Sequence, residues 1–110
     1  MNNTTFKDEK LKDQIHKFAA EFLQRESTGQ SLITVTDVKI GNEAKEATIF
    51  FTVLPESKEE VALEFARRQL GDFRIFMGEK VKTGRMPYFH FDIDRGEKHR
   101  QRIDEIIIKN

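Results

Sequence analysis

The spacing of apolar residues alternates between a helical and a strand-like period, and this alternation most constrains what the chain can fold into. Helical spacing runs over residues 11–23, and two strand-like segments follow, SLITVTDVKI (31–40) and ATIFFTVL (47–54). The later segments are, in order, a helix at VALEFARRQL (61–70), a helix from Asp72 to about Lys82, a strand at MPYFHFDID (86–94) and a helix at GEKHRQRIDEIII (96–108). The sequence therefore predicts an α+β fold of order α-β-β-α-α-β-α, a three-stranded sheet with its helices packed on one face.

Local signals set the expected ends of these elements. Thr5 with Asp8, and Ser57 with Glu60, have the spacing of capping boxes at helix starts. The segment GNEAKE (41–46) is long enough to connect two hairpin strands. Gly29 and Gly84 are expected to end helices, and Gly71 to provide the φ freedom for a sharp kink between two helices.

Length and composition indicate one domain over residues 1–110. The ten phenylalanines are expected to fill the core, each contributing about 1.5–3 kcal/mol when fully buried. The chain has no cysteine, which excludes disulfides and thiolate metal sites. The sequence has neither an apolar signal core near its start nor a run long enough to span a membrane, so we expect a soluble, cytoplasmic monomer.

The formal net charge of zero conceals a separation of charge along the chain. Residues 26–66 hold three Lys and eight Asp or Glu, a net of −5. Residues 67–85 hold six Lys or Arg and two Asp or Glu, a net of +4, and residues 95–102 hold four and one, a net of +3. Basic blocks at one end favour a face that binds an anion, although charged runs that merely solvate helices are an open alternative.

The second of the two kinked helices is predicted to present a polar stripe. Arg74, Gly78 and Lys82 follow one another at i, i+4 and i+8, on the side opposite the apolar residues. A glycine between two cations is what a close approach of a phosphate chain requires, whereas the alternative is a glycine that lets a neighbouring helix pack. The predicted phosphate contacts are Arg67, Arg68, Arg74, Gly78, Lys80, Lys82 and Arg85 on the helix pair, and Lys98, Arg100 and Arg102 on the last helix.

Several short motifs, in this order and spacing, resemble the ribosome-binding factor A family over residues 11–108. They are FLQRE (22–26), ITVTDVKI (33–40), EATIFFTVL (46–54), LGDFRIFMGEKVKTGRMPYFHF (70–91) and RIDEII (102–107). The resemblance implies a type II KH-like fold in which an Ala-x-Gly kink replaces the phosphate-cradling Gly-x-x-Gly loop. That kink falls on Gln69, Leu70 and Gly71, so the glycine matches while Gln69 stands where the family has alanine.

The resemblance also implies a function. The family binds 16S ribosomal RNA of the small (30S) subunit during late maturation and rRNA processing, and it is linked to growth in the cold. It has no enzymatic activity and no cofactor. The expected partners are the small ribosomal subunit, its 16S ribosomal RNA and neighbouring ribosomal proteins.

Other functions have weaker support. His90, Asp92 and Asp94 share a strand face, but His90 and Asp94 would lie about 13 Å apart, too far to share a metal ion. We expect His90 to be a surface residue, with stacking on a base alongside Tyr88 as an alternative. The spacing of these strand residues therefore predicts no metal site. The chain has no nucleophile elbow or P-loop signature, so we expect no enzyme. A protein-interaction adaptor that uses the acidic start of the 56–64 helix is the alternative function.

Overall fold

The structure is a computed structural model that describes residues 6–26, 29, 31–82, 85–97 and 100. Within these residues the order of elements is α1 (Phe6–Glu26), β1 (Leu32–Gly41), β2 (Glu46–Leu54), a 3-10 turn (Glu56–Lys58), α2 (Glu59–Arg68), α3 (Leu70–Lys80) and β3 (Tyr88–Ile93). Residues 95–97 and Arg100 are helical, at the start of the predicted last helix. The predicted α+β class and order of elements are confirmed.

The three strands form one mixed sheet of order β1-β2-β3. β1 and β2 are antiparallel, and their register is shifted by a bulge between Val35 and Asp37. β3 lies parallel to β2, with Tyr88 opposite Glu46 and Phe91 opposite Ile49. Because α2 and α3 connect β2 to β3, they form the crossover that a parallel pair requires, and they bring the start of β3 back to the start of β2.

Phenylalanine rings hold the helices on the sheet. Phe73 of α3 is fully buried, and its ring centroid lies 5.3 Å from that of Phe22, 5.0 Å from that of Phe89 and 5.3 Å from that of Phe91. Phe73 thereby joins α1, α3 and β3, and Phe51 of β2 contacts Phe91 at 6.3 Å. Edge-on and tilted ring pairs of this kind add to the stabilisation from burial. The packing fixes which side of α3 faces solvent.

The connection between α2 and α3 differs in detail from the prediction. α2 ends at Arg68 and α3 begins at Leu70, so the break lies on Gln69, whose φ and ψ are −89° and 4°. Gly71 lies in the first turn of α3 without a positive φ, so the expectation that it provides special φ freedom is wrong. The backbone N–H of Gln69 donates to Phe65 and its carbonyl accepts from Phe73 (2.8 Å), so hydrogen bonding continues across the break.

The two predicted capping boxes have different outcomes. Ser57 does not cap α2, because the chain after Pro55 first forms the 3-10 turn, and Lys58 occupies the cap position without a side-chain hydrogen bond. The Ser57–Glu60 prediction is therefore wrong. Thr5 lies outside the described residues, as does Gly84.

The connections at the two ends of the sheet differ in backbone conformation. In the β1–β2 turn, Asn42, Glu43 and Ala44 all have positive φ, and the N–H of Lys45 donates to the carbonyl of Asn42 at 3.0 Å. α1 ends at Glu26, before the glycine predicted to end it, and Gly29 has a φ of 82°.

Among the described residues, no helix is long and apolar enough to cross a membrane.

Candidate nucleic-acid interface

One exposed stripe runs along α3 on the side away from the core. Gly71, Arg74 and Gly78 lie three and four residues apart in the helix, and Lys82 follows four residues later, just beyond its end. All four are exposed, while Phe73, Phe76 and Met77 between them are buried. The predicted spacing therefore corresponds to one solvent-facing stripe for Gly71, Arg74 and Gly78, with about 10.5 Å along the helix axis between the two glycines. Val81 is extended, so Lys82 follows the stripe without belonging to the helix.

Nothing in the described part of the chain requires glycine at either position of the stripe. A Cβ built on Gly71 or Gly78 meets no atom within 4 Å, and neither residue has a positive φ. The alternative that Gly78 admits a neighbouring helix therefore finds no support among the described residues. A glycine in a helix interior lowers stability by about 0.5–1 kcal/mol relative to alanine, so the chain carries this cost at sites where the backbone is left open to an external group.

Arg74 is held over the start of β3. Its Nη1 donates a hydrogen bond to the carbonyl oxygen of Pro87 at 3.2 Å, and its guanidinium carbon lies 5.1 Å from the centre of the Tyr88 ring. The guanidinium has five N–H donors in a fixed plane. Since the described contacts occupy one nitrogen, other donors of Arg74 remain available to an anion.

Arg67 and Arg68 occupy the last turn of α2, directly before the break at Gln69. Both are exposed, on the helix face that carries Glu64 one turn earlier and Glu60 two turns earlier. This order places acidic residues toward the positive end of the helix dipole and basic residues toward its negative end, which stabilises the helix. The face consequently becomes positive toward the break.

Several ion pairs join other charged residues of the described chain. They are Lys12–Asp37, His90–Glu46, Arg95–Asp92 and Arg100–Glu97. Within the described ranges, no carboxylate pairs with Arg67, Arg68, Arg74 or Lys82. Their charges are therefore available to a polyanion approaching the helix break.

Lys80 lies on a different side of α3 from Arg74. Its Nζ lies 5.5 Å from the centre of the Phe76 ring, and the guanidinium of Arg25 lies 5.3 Å from the same ring. Lys80 lies six positions after Arg74, and six helical steps of about 100° turn the Lys80 side chain well away from the stripe. The structure therefore places Lys80 with Arg25 of α1 rather than with the other predicted residues.

The remaining predicted cations lie in the segments around β3. Arg85 is exposed in the connection from α3 to β3, and Arg100 is exposed but paired with Glu97. Lys98 and Arg102 lie outside the described residues. The structure thus places Arg74 and Gly78 on one side of α3, Arg67 and Arg68 at the end of α2 and Lys82 beyond the far end of α3, and it places Lys80 on another side of α3.

Asp94 caps the helix that begins at Arg95. Its Oδ1 accepts the backbone N–H of Glu97 at 2.9 Å, and its Oδ2 accepts the hydroxyl of Thr36 at 2.5 Å. Burial raises the pKa of Asp94, but the hydrogen bonds from Thr36, Glu97 and Gly96 and the charge of Arg100 together hold that pKa below its ordinary value of 3.8. Thr36 lies at the β1 bulge, which lets its side chain reach across β2.

The strand residues considered as metal ligands have other partners. His90 lies 3.2 Å from Glu46, Asp92 pairs with Arg95, and Asp94 caps the following helix. Within the described residues, no group of three or more His, Asp or Glu side chains is arranged to hold a metal ion.

Sequence reasoning missed the contact between Arg74 and Tyr88. The sequence associates Tyr88 only with His90 on its own strand, yet its ring lies under the guanidinium of a helix residue 14 positions earlier in the sequence. The sequence feature that singles out Tyr88 is that it is the only tyrosine of the chain and directly follows Pro87 at a strand start, but this feature does not point to Arg74.

Comparison with known proteins gives one family. The family model described as Ribosome-binding factor A matches residues 7–107. Ribosome-binding factor A of Thermobifida fusca is 30% identical over 103 residues, which cover 91% of this chain and 68% of that protein.

Solved structures of that family have a similar fold. The crystal structure of ribosome-binding factor A from Thermus thermophilus matches with a TM-score of 0.71 at 23% identity, covering 79% of this chain and 94% of that one. A homology model of the Thermus thermophilus protein, as fitted into the cryo-EM map of a 30S complex, matches with a TM-score of 0.68 at 23% identity and covers 78% and 93% of the two chains.

Proposed function

Because the chain belongs to the ribosome-binding factor A family, we propose that it binds the 16S ribosomal RNA of the small ribosomal subunit and assists the subunit's maturation. It acts as a non-catalytic, cytoplasmic monomer. The Thermus thermophilus relative fitted into a 30S complex supports the small subunit as the partner. The family resemblance extends the proposal to rRNA processing and to growth in the cold.

One observation carries the RNA-binding part of the proposal. Arg67 and Arg68 end α2, Arg74 lies on α3 and Lys82 follows the far end of α3, and no carboxylate among the described residues pairs with any of them. Gly71 and Gly78 leave the backbone of the same surface uncovered. Such a surface suits a phosphate backbone, which dominates the affinity of proteins for nucleic acids.

The mechanism is steric and electrostatic. The arginines and lysines neutralise phosphates, and the rigid helix pair holds the bound RNA in one arrangement while the subunit matures. Phosphate contacts position a protein on a nucleic acid and carry little sequence information. Recognition of the correct RNA therefore depends on its shape and on further contacts in the assembling particle, including neighbouring ribosomal proteins.

Co-sedimentation with ribosomal particles tests the proposal. We expect the protein to accompany free and immature small subunits in preference to assembled ribosomes. The double variant Arg74→Glu and Lys82→Glu should lose this association and still unfold cooperatively, with a loss of stability of about 0.5–1.5 kcal/mol for the hydrogen bond from Arg74 to Pro87. An equal distribution over all particles, or an unchanged association of the double variant, would contradict the proposal.

A matched control separates local from overall charge. The double variant Lys10→Glu and Lys58→Glu makes the same change in net charge at two exposed lysines outside the helix break. We expect this control to bind close to the wild-type level. Equal losses in both double variants would mean that net charge, and not the surface around the break, governs binding.

A second candidate function rests on the first half of α2. Val61 is 61% exposed, and Glu60 and Glu64 are exposed on the same helix. An exposed apolar side chain among carboxylates suits a basic protein partner, with RNA affinity incidental. Pull-down with and without nuclease distinguishes the two functions, because an adaptor keeps its partner after RNA digestion, whereas the proposed RNA-binding factor loses the small subunit.

A further inference from the structure

We propose that Tyr88 is a stacking site for an unpaired RNA base, so that the interface binds a single-stranded or extruded segment and not only a phosphate backbone. The inference rests on the proposed function, because it adds a base contact to the same surface. It also narrows the ligand, since bases in a continuous duplex are stacked on one another and do not offer a free face.

The exposure of Tyr88 is the first observation. The residue is 66% exposed, the largest value among the exposed large apolar residues of the described chain. It begins β3 and alternates with the buried Phe89, so its side chain lies on the strand face that carries the exposed His90. An aromatic ring at such a position offers a flat apolar surface to a ligand.

The backbone of Tyr88 is fixed. Its N–H donates to the carbonyl oxygen of Lys45 at 2.9 Å, which joins the start of β3 to the β1–β2 turn. Pro87, which precedes it, is buried, and its carbonyl oxygen accepts the hydrogen bond from Arg74. A ring with two rotatable bonds on a fixed backbone loses little conformational entropy when it binds.

Arg74 makes the ring part of the cationic surface. Its guanidinium lies 5.1 Å from the ring centre, within the range of a cation–π contact, and supports one side of Tyr88. A base stacked against the exposed ring would carry its own phosphate close to the remaining N–H donors of Arg74. One arginine can therefore support the stacking residue and neutralise the adjacent phosphate.

The carboxylate opposite Tyr88 in the sheet has other partners. Glu46 lies directly opposite Tyr88 in the register, but its two oxygens lie 3.2 Å from the His90 ring nitrogen and 3.5 Å from the Asn42 amide nitrogen. Arg74 is the charged side chain that contacts the Tyr88 ring among the described contacts. The charge at the ring itself is therefore positive, which suits a nucleotide.

Intrinsic fluorescence reports this site alone. The chain has one tyrosine and no tryptophan, so tyrosine emission comes from Tyr88. We expect an unstructured adenine-rich RNA strand to quench this emission in step with binding followed by the anisotropy of a label on the RNA. A perfectly paired RNA duplex of the same length should quench it less at equal occupancy.

Variants separate stacking from charge. Tyr88→Ala should weaken binding of the single strand by roughly 5- to 150-fold, the range for loss of one base–aromatic stack, whereas Tyr88→Phe should stay close to wild type. Leu32→Ala is the matched control, since Leu32 is also exposed (61%) but lies opposite Leu54, about 26 Å along the sheet from Tyr88. It should not change binding.

The outcomes distinguish the two proposals. If the RNA strand binds with a steep salt dependence but Tyr88 emission is unchanged and Tyr88→Ala binds normally, the stacking site is wrong and the proposed function stands. Equal quenching by single strand and duplex would also overturn the stacking site. If neither RNA nor small subunits bind, both proposals fail together.

Discussion

Replacing Gly78 by alanine should make the protein more stable and a weaker RNA binder. Gly78 lies inside α3, has no positive φ, and its added Cβ meets no atom within 4 Å among the described residues. The substitution removes the conformational cost of a helical glycine, about 0.5–1 kcal/mol. For a chain of 110 residues that corresponds to a rise in Tm of about 2–4 °C.

The expected loss in binding follows from the same methyl group. If a phosphate rests on Gly78 between Arg74 and Lys82, an added Cβ moves it from about 4 Å to about 5.5 Å from both charges. Coulomb attraction to two cations then weakens by roughly 0.6 kcal/mol in bulk water and about 2 kcal/mol at the effective dielectric constant near a protein surface. We therefore expect RNA affinity to fall by about 3- to 30-fold.

Thermal unfolding and RNA binding of Gly78→Ala, measured on the same preparation, check the expected rise in Tm and the expected fall in affinity. A fall in Tm would show that the added methyl group clashes with a neighbour, which would contradict the open space beside Gly78. A rise in Tm with unchanged RNA affinity would refute the phosphate approach while leaving the fold intact.

Three further variants test the core, the helix cap at Asp94 and the arginines at the end of α2. Phe73→Ala should lower the free energy of unfolding in urea by about 3–5 kcal/mol, because Phe73 is fully buried among three other rings. Asp94→Ala should cost about 0.5–2 kcal/mol at neutral pH through loss of the helix cap. Because the folded-state pKa of Asp94 is lowered, its contribution is complete above the ordinary value of 3.8 and is lost as pH falls through the lower folded pKa, so unfolding curves of wild type and variant should converge in acid. Replacing Arg67 and Arg68 by Gln should weaken RNA binding, as measured by anisotropy, and should lower the free energy of unfolding by about 0.6–2 kcal/mol, since both side chains are exposed and lose only their interaction with the helix dipole.

The order of elements could be predicted from the sequence because it depends on local periodicity. Phe51 and Phe91, for example, alternate with polar or half-buried neighbours, and this period of two fixes their strands. The pairing of β3 with β2 could not be read in the same way, since the alternation of β3 does not specify its neighbour. The crossover through α2 and α3 determines that pairing.

Sequence patterns failed where several local preferences competed. Ser57 and Glu60 have capping-box spacing, but Pro55, with its fixed φ, leads into a 3-10 turn that moves the start of α2 to Glu59. Gly71 suggested a glycine kink, yet the break lies on Gln69, whose φ of −89° and ψ of 4° do not require glycine. A break between helices therefore did not need the residue that permits unusual φ values.

The candidate site was predictable in part. The stripe of Arg74, Gly78 and Lys82 follows from helical spacing, and the same spacing, applied to Lys80, places that residue on another side of α3. The contact between Arg74 and Tyr88 could not be predicted, because it depends on how α3 packs across the start of β3.

The salt dependence of binding to immature small subunits tests the central claim most directly. If Arg74, Lys82 and the two arginines that end α2 each neutralise one phosphate, the logarithm of the affinity should fall with the logarithm of salt concentration with a slope of about −3 for single-stranded contacts or about −4 for duplex contacts. An affinity that does not change across the salt series would contradict the account.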